Sequence, residues 1–448
     1  MSAKPLPGFR DFYPAELAER AHIMRVWREI ARRYAFVEYD GPPLEPLDLY
    51  TRKSGEEIVG QLYNFVDKGD RPVSLRPEMT PTFARMVAAR ANALRKPVRW
   101  FSVPQLFRYE RQQKGRLREH FQLNVDIVGE ADVTADAELL AVAIDMLRAF
   151  GLTQQDVRAR VSDRRLLAAL LARVGVGEAQ LGAAYQAIDK VERDPRPLLV
   201  ERLGQAGIDA STAEQVLDFA RLWTIDALRE AHGEDPTVAA ELDRMARYLG
   251  HLDALGVRDW IVLDLTIVRG LAYYTGIVFE LFDARGEFRA ICGGGRYDTL
   301  LGALGGDELP ARGFGMGDVV LGELLKARGL MPAAVPQVVF WIAVEDAELL
   351  PVAQSTASLM RRLGHSVEYP LREQALGKQL KAAVSAGART AAILRRSALA
   401  ERGEVTLRSL TDGSEESRPL GAWLEQLITD AGATDLGGAP ATDERTQA

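Results

Sequence analysis

The stretch "FRYERQQKGRLREHFQLNVDIVG", residues 107–129, decides how the chain is read. It crowds Arg108, Arg111, Lys114, Arg116 and Arg118 against only Glu110 and Glu119. Phe121, Leu123, Val125 and Ile127 then alternate with Gln122, Asn124 and Asp126. A period of two is the signature of a strand, with one apolar face and one polar face. Residues 98–108 read as a second strand, so the basic groups fall on the turn between the two. Guanidinium groups on such a turn can grip phosphate through a planar, bidentate fork. A charged hairpin tip can also do no more than meet water, which is the common fate of charge runs. The polar set Gln122, Asn124 and Asp126, backed by a buried face, turns the reading toward a ligand lying on the sheet.

Upstream, residues 15–35 have helical spacing, with apolar positions at Ile23, Val26, Trp27, Ile30 and Ala31. The prolines of GPPLEP, 41–46, forbid a helix there. A short strand is expected at 72–77, helical spacing from Glu78 to Leu94, and a helix over 133–150. Residues 163–256 are rich in Ala, Leu, Arg and Glu and read as a mostly helical insertion. Strand signals return at 260–282 and 288–292, and residues 319–328 look helical. MPAAVPQ, 331–337, reads as a linker. Beyond it strands and helices alternate, implying a small α/β domain with a mainly parallel sheet. The expected division is 1–330, 331–430, and a disordered tail over 431–448.

Three further motifs carry chemistry. "LRPEMTPTFAR", 75–85, sets Glu78 at a strand-to-helix change, where it caps the helix or takes a substrate ammonium. "IVRGLAYYTGIVFE", 267–280, buries Arg269 among apolar residues, which calls for an anion or a salt-bridge partner. Tyr273 and Tyr274 beside it are core aromatics or pocket walls. The glycines of "ICGGGRYDTLLGALGG" and "GFGMGDVVLGELL" permit close approach of backbone to a ligand. They are not a dinucleotide fingerprint, since no GxGxxG lies in a βαβ unit with a downstream acid.

Bulk composition sets limits. With 448 residues, two to three domains are expected. No run of about 18 apolar residues occurs, so no membrane span is expected. The first residues lack a signal-peptide pattern. Cys292 is the only cysteine, which excludes an intrachain disulfide and fits a reducing, cytoplasmic setting. One Cys and five His make zinc unexpected. A net charge of −7 argues against a nucleic-acid-coated protein but not against a local basic surface.

The order of these segments resembles class II aminoacyl-tRNA synthetases, and within them the histidyl-tRNA synthetase family, over roughly residues 5–428. GPPLE, 41–45, resembles the dimer-interface motif of the class. FRYER through DIVG resembles the second class motif, and GFGMGDVVL sits where the third belongs. VRGLAYYTGIVFE and GGGRYD resemble the histidine-specific segments, and the C-terminal unit resembles an anticodon-binding domain. The resemblance implies an α+β catalytic domain with an antiparallel sheet flanked by helices, a helical insertion, and a homodimer. It implies L-histidine, ATP with Mg²⁺ and tRNA(His) as partners, with no zinc or other protein-held metal, no membrane and no DNA. Histidine carboxylate would attack the α-phosphorus of ATP, and the histidyl group would pass to the 3′ end of the tRNA. Arg108 and Arg269 are then the catalytic α-phosphate contacts. Glu110 reads adenine, Arg116 reaches the outer phosphates, and Phe121 completes the ATP site. Glu78, Thr80 and Gln122 would hold the α-ammonium, while Asp126, Tyr273, Tyr274 and Tyr297 surround the imidazole, with Arg108 and Arg269 alongside.

Three departures from the family pattern stand out. Asp318, Val319 and Val320 occupy the stretch where an arginine is expected. His120 precedes Phe121 where the family has its aromatic, shifting adenine stacking by one residue. Ala272 stands where many members carry Asp. The alternative reading is a non-catalytic, histidine-sensing paralogue, such as the regulatory subunit of ATP phosphoribosyltransferase. The two arginines and the C-terminal domain oppose it, and the lost arginine favours it. For tRNA, residues 351–400 carry eight basic side chains against two acidic ones. That is a sufficient local charge for phosphate contacts.

Overall fold

The computed structural model describes residues 4–51, 60–109, 115, 117–268, 274–303, 306–333 and 338–435. The chain divides into two compact units, Met1–Ala333 and Ala334–Ala448.

The first unit is organised by one large sheet. In chain order its strands and those of a small sheet are β1 (Val37–Glu38), β2 (Leu44–Pro46), β3 (Asn64–Val66), β4 (Pro72–Leu75), β5 (Val98–Ser102), β6 (Gln105–Phe107), β7 (Glu119–Val128), β8 (Val157–Asp163), β9 (Ile261–Leu263), β10 (Ile277–Asp283), β11 (Cys292–Arg296) and β12 (Ala311–Gly317). The large sheet runs β1-β5-β7-β12-β11-β10-β8-β9, with β6 also on β7, while β2-β4-β3 form the small one. Within the large sheet only the outer pairs β1–β5 and β8–β9 are parallel; the interior is antiparallel. Such a sheet needs cover, and helix Thr134–Ala149, apolar nearly all round, packs beneath it. Helix Pro14–Arg33 buries Ile23, Val26, Trp27, Ile30 and Ala31, the stripe its spacing predicts. Residues 164–254 are mostly helical, as expected, and Asp163, Asp209, Thr224 and Asp235 each cap a helix start through a side-chain oxygen.

The glycine run 293–295 lies within strand β11: its missing side chains let β12 lie against it, and a Cβ on Gly294 would press on the Gly313 carbonyl. The polar face of β7 is largely buried, with Asn124 and Asp126 close to their apolar neighbours in exposure.

The second unit holds a sheet in the order β14-β13-β15-β16-β17, from β13 (Phe340–Val344), β14 (Val367–Glu368), β15 (Thr390–Leu394), β16 (Glu404–Ser409) and β17 (Glu415–Pro419). Only the pairs of β13 with β14 and β15 are parallel. The expected mainly parallel sheet is thus half antiparallel, since β16 runs antiparallel to β15 and β17 returns on β16 through a short turn. Helices Leu350–Arg362 and Leu376–Ser385 both pack on β13.

Candidate active site

Two adjoining cavities open on the β7–β12–β11 face, and both are lined by Arg108, Gln122, Gly293 and Gly315. The smaller, about 150 Å³, brings together Glu78, Thr80, Asn124, Asp126, Tyr274 and Tyr297 with those four. The larger, about 240 Å³, adds His120, Glu280, Cys292, Val319 and Val320.

Strand alternation explains the gathering. Residues 120, 122, 124 and 126 of β7 share a face, and β12 lies alongside with Gly313 opposite Asp126 and Gly315 opposite Asn124. These glycines are spaces. A Cβ on Gly313 would overlap Asp126 Oδ1, and one on Gly315 would come within 2.8 Å of the Gln122 amide carbon. The glycines of β12 therefore make room first for the polar side chains of β7, and through them for a ligand.

The chemistry of the smaller cavity centres on Asp126. It is 3 % exposed and accepts a hydrogen bond from the Tyr297 hydroxyl. Burial raises its pKa to about 7, against the opposing pull of that hydroxyl. At neutral pH the group is poised between acceptor and donor. Glu78 is buried beside Thr80, the first residue of helix Thr80–Ala88. Arg108 donates from Nε to the Pro77 carbonyl, 2.9 Å, which steers its guanidinium along the junction of the cavities. Tyr274 belongs to the core, 7 % exposed, and is also a cavity wall, so both readings of that tyrosine hold.

In the larger cavity His120 is the ring. Burial, followed by the charges of Arg108 and Arg10, pushes its pKa down to about 3, so it is a neutral aromatic surface at physiological pH. Phe121 points the other way. Its ring packs edge-on to Phe12 at 6.2 Å, and the Arg20 guanidinium lies 4.4 Å from its centroid. The expected role of Phe121 in this cavity is therefore corrected: a one-residue step along a strand reverses the face. The position after Arg118 and Glu119 was the signal for His120, and the alternation with Gln122 would have singled it out. Arg269, Tyr273, Glu110 and Arg116 lie outside the described residues.

The departure at 318–320 has a structural account. Asp318, first residue of helix Asp318–Ala327, accepts from Arg10 Nη1 at 2.9 Å and from the Phe121 amide at 2.9 Å. Arg10 Nε donates to Glu119 at 2.6 Å, and Gln105 to the same carboxylate at 3.0 Å. One arginine from residue 10 thus ties β7 to the helix that follows β12. Val319 and Val320, next along, present alkyl surface to the larger cavity.

Among the described residues no group of three or more His, Cys, Asp or Glu side chains could hold a metal ion, and no single helix is long and apolar enough to cross a membrane.

A family model described as "Histidyl-tRNA synthetase" matches residues 8–317, and one described as "Anticodon binding domain" matches residues 337–429. The histidine–tRNA ligase of Opitutus terrae is 45% identical over 96% of this chain and 99% of its own. The chloroplastic/mitochondrial histidine–tRNA ligase of Arabidopsis thaliana is 39% identical over 93% of this chain and 85% of its own. The crystal structure of histidyl-tRNA synthetase from Nostoc sp. PCC 7120 matches with a TM-score of 0.80 at 22% identity, covering 96% of this chain and 100% of that one. An ATP phosphoribosyltransferase regulatory subunit/histidyl-tRNA synthetase from Bacillus halodurans C matches at 0.73 and 22% identity, covering 88% and 98%. Both structures, at that identity, show the fold.

Proposed function

The chain belongs to the histidyl-tRNA synthetase family, and from that premise we infer that it is an ATP-dependent histidine–tRNA ligase. The observation that carries the reading is the pair of cavities meeting at Arg108, one polar with a buried carboxylate and one walled by a neutral ring and alkyl groups. The smaller takes L-histidine. Glu78, Thr80 and Gln122 receive its ammonium, and Asp126, with Tyr297 behind it, accepts from an imidazole N–H. A buried acceptor left unpaired by an apolar amino acid rejects it strongly, so selectivity needs no second sieve.

The larger cavity takes ATP. His120 offers a face to the adenine and Val319 and Val320 offer contact from the other element, so the loss of the family's arginine leaves an apolar slot. Arg108 stands where the histidine carboxylate attacks the α-phosphorus and pyrophosphate departs. Negative charge gathers there in the transition state, and a fixed guanidinium stabilises it without reorganisation. Arg269 is proposed as the second such cation, with Glu110 and Arg116 on adenine and outer phosphates. Mg²⁺ would enter on the ATP phosphates, with Glu280 as the acid lining that cavity, and would neutralise part of the phosphate charge. The adenylate then yields its histidyl group to tRNA(His).

The unit from residue 334 is proposed as the anticodon reader and the unit before it as catalytic. Of its basic residues, Arg396 pairs with Asp346 and Glu348, and Arg361 is spent on the Val367 carbonyl. Lys378, Lys381 and Arg389 are better candidates for phosphate. A homodimer is proposed through the small sheet, whose Leu44, Phe65 and Val66 are exposed apolar residues. The compartment proposed is cytoplasmic. The paralogue reading is disfavoured by curated ligases that match across both units.

The test is histidine-dependent ATP–pyrophosphate exchange on the purified chain. Exchange with histidine alone among amino acids, falling about 10²–10³-fold in Arg108→Ala, is the expected outcome. Histidine binding without exchange would overturn it in favour of a sensor.

A further inference from the structure

Arg164 is the first residue of the helical insertion, and it reaches back into the cavity wall. Its Nη1 donates to the Tyr274 carbonyl at 3.0 Å, while Nε and Nη2 donate to the Val268 carbonyl at 3.2 and 3.1 Å. Its own amide donates to Gly276 at 3.0 Å. One guanidinium thus spans two carbonyls on either side of residues 269–273. The insertion holds the arginine from behind. The ring of Tyr185, on helix Leu181–Asp189, lies 5.6 Å from its guanidinium carbon, within cation–π range. Asp163, one residue before it, is fully buried, pairs with Arg244 of helix Pro236–Ala254, and caps the helix that Arg164 begins. Two insertion helices therefore fix the base of Arg164 and the stack over it.

Tyr274 is what this brace controls. It lines the smaller cavity, its ring lies close to Gly295, and Gly295 is so tightly covered that a Cβ would meet Tyr274 Cδ1 at 3.0 Å. A backbone carbonyl held at this end sets how far the phenol ring advances into the cavity. We propose that Arg164 is a positioning residue for the amino-acid cavity, by which the helical insertion sets the placement of Tyr274 and thereby the affinity for histidine. The proposal rests on the reading of that cavity as the histidine site. It assigns the insertion a part in amino-acid binding, in addition to any contact with tRNA.

The test compares Arg164→Met, Arg164→Lys and Tyr274→Ala with the parent in pyrophosphate exchange, with histidine and ATP each varied, beside thermal unfolding. Met keeps the alkyl stem and loses every donor; Lys restores a cation with donors for the two carbonyls. The expected result is a histidine KM raised about tenfold in Arg164→Met, with the ATP KM within about twofold and Tm within about 4 °C of the parent. Arg164→Lys should recover part of that loss. A raised histidine KM in Tyr274→Ala with none in Arg164→Met would overturn the brace and leave the site intact. No change in Tyr274→Ala would instead sink the site reading on which the brace depends. Equal losses in histidine KM, ATP KM and Tm would make Arg164 a purely structural residue and also defeat the proposal.

Discussion

Two buried aspartates on opposite sides of one sheet have opposite surroundings. Asp126 and Asp136 are each 3 % exposed. Asp136, on the helix beneath the sheet, pairs with Arg296 and also faces Arg312 Nε at 3.4 Å. Asp126, on the cavity face, has the Tyr297 hydroxyl as its hydrogen-bond partner among the described residues. Arg296 and Tyr297 are neighbours in sequence at the end of β11, and they serve opposite faces. A buried carboxylate is costly unless compensated. The chain compensates Asp136 from within, whereas among the described residues Asp126 has the Tyr297 hydroxyl alone as a hydrogen-bond partner, the setting the proposed imidazole acceptor requires. The contrast separates a charge satisfied by two arginines from the one proposed to receive histidine.

The largest effect should come from removing the receptive charge. Asp126→Asn is expected to lower kcat/KM for histidine in pyrophosphate exchange by about 10³-fold while leaving Tm unchanged or higher, since an uncompensated buried acid is lost. If activity survives, Asp126 is not the imidazole acceptor. Asp136→Ala should invert the pattern. It strands two buried guanidiniums, so urea denaturation should register a loss of about 3–5 kcal/mol, with the histidine KM of the remaining folded enzyme little changed.

The pH dependence sharpens the comparison further. The pKa of Asp126 is raised from the ordinary carboxylate range to about 7. Its folded form therefore keeps a proton that the unfolded chain releases. The associated stability is full below about pH 4 and is lost as pH rises to about 7. Ligand binding should run against this. Below pH 7 histidine must displace a proton from Asp126 to find an acceptor, so its affinity should weaken as pH falls. Asp126→Asn should retain only the titration of the ligand itself. Calorimetry in buffers of different ionisation enthalpy would count the protons, and identical counts in parent and variant would refute the assignment.

Smaller effects should follow at the ring positions. His120→Ala is expected to raise the KM for ATP about tenfold, whereas Phe121→Leu should change it by less than about twofold. A reversed order would mean that the strand's faces have been misassigned.

Much of this was legible in the sequence because period and spacing are local. The alternation over 121–127 and the stripe from Ile23 to Ala31 follow from neighbours a few residues apart. The set Glu78, Thr80, Gln122, Asp126, Tyr274 and Tyr297 came from motif resemblance, and the fold brings it around one cavity. What stayed hidden depends on contacts distant along the chain. Nothing near Asp318 announces that residue 10 will meet it, 308 positions away. Nothing in GGG distinguishes a strand that must be thin from a loop that must bend. Phe121 was misread because an aromatic was expected by type, while the face was fixed by parity.

The parity of β7 has a last consequence, for how this chain tolerates insertions and deletions. Both edges of the strand are locked in register, to β5 and to β12, and its start is tied down by Arg10 and Asp318. A slip of one residue would send Gln122 and Asp126 into the core and Leu123 and Val125 into the cavity. Length changes in evolution are therefore expected ahead of Glu119 or after Val128, and never between them. Those ten residues behave as a reading frame, in which a single added or missing residue garbles every position downstream.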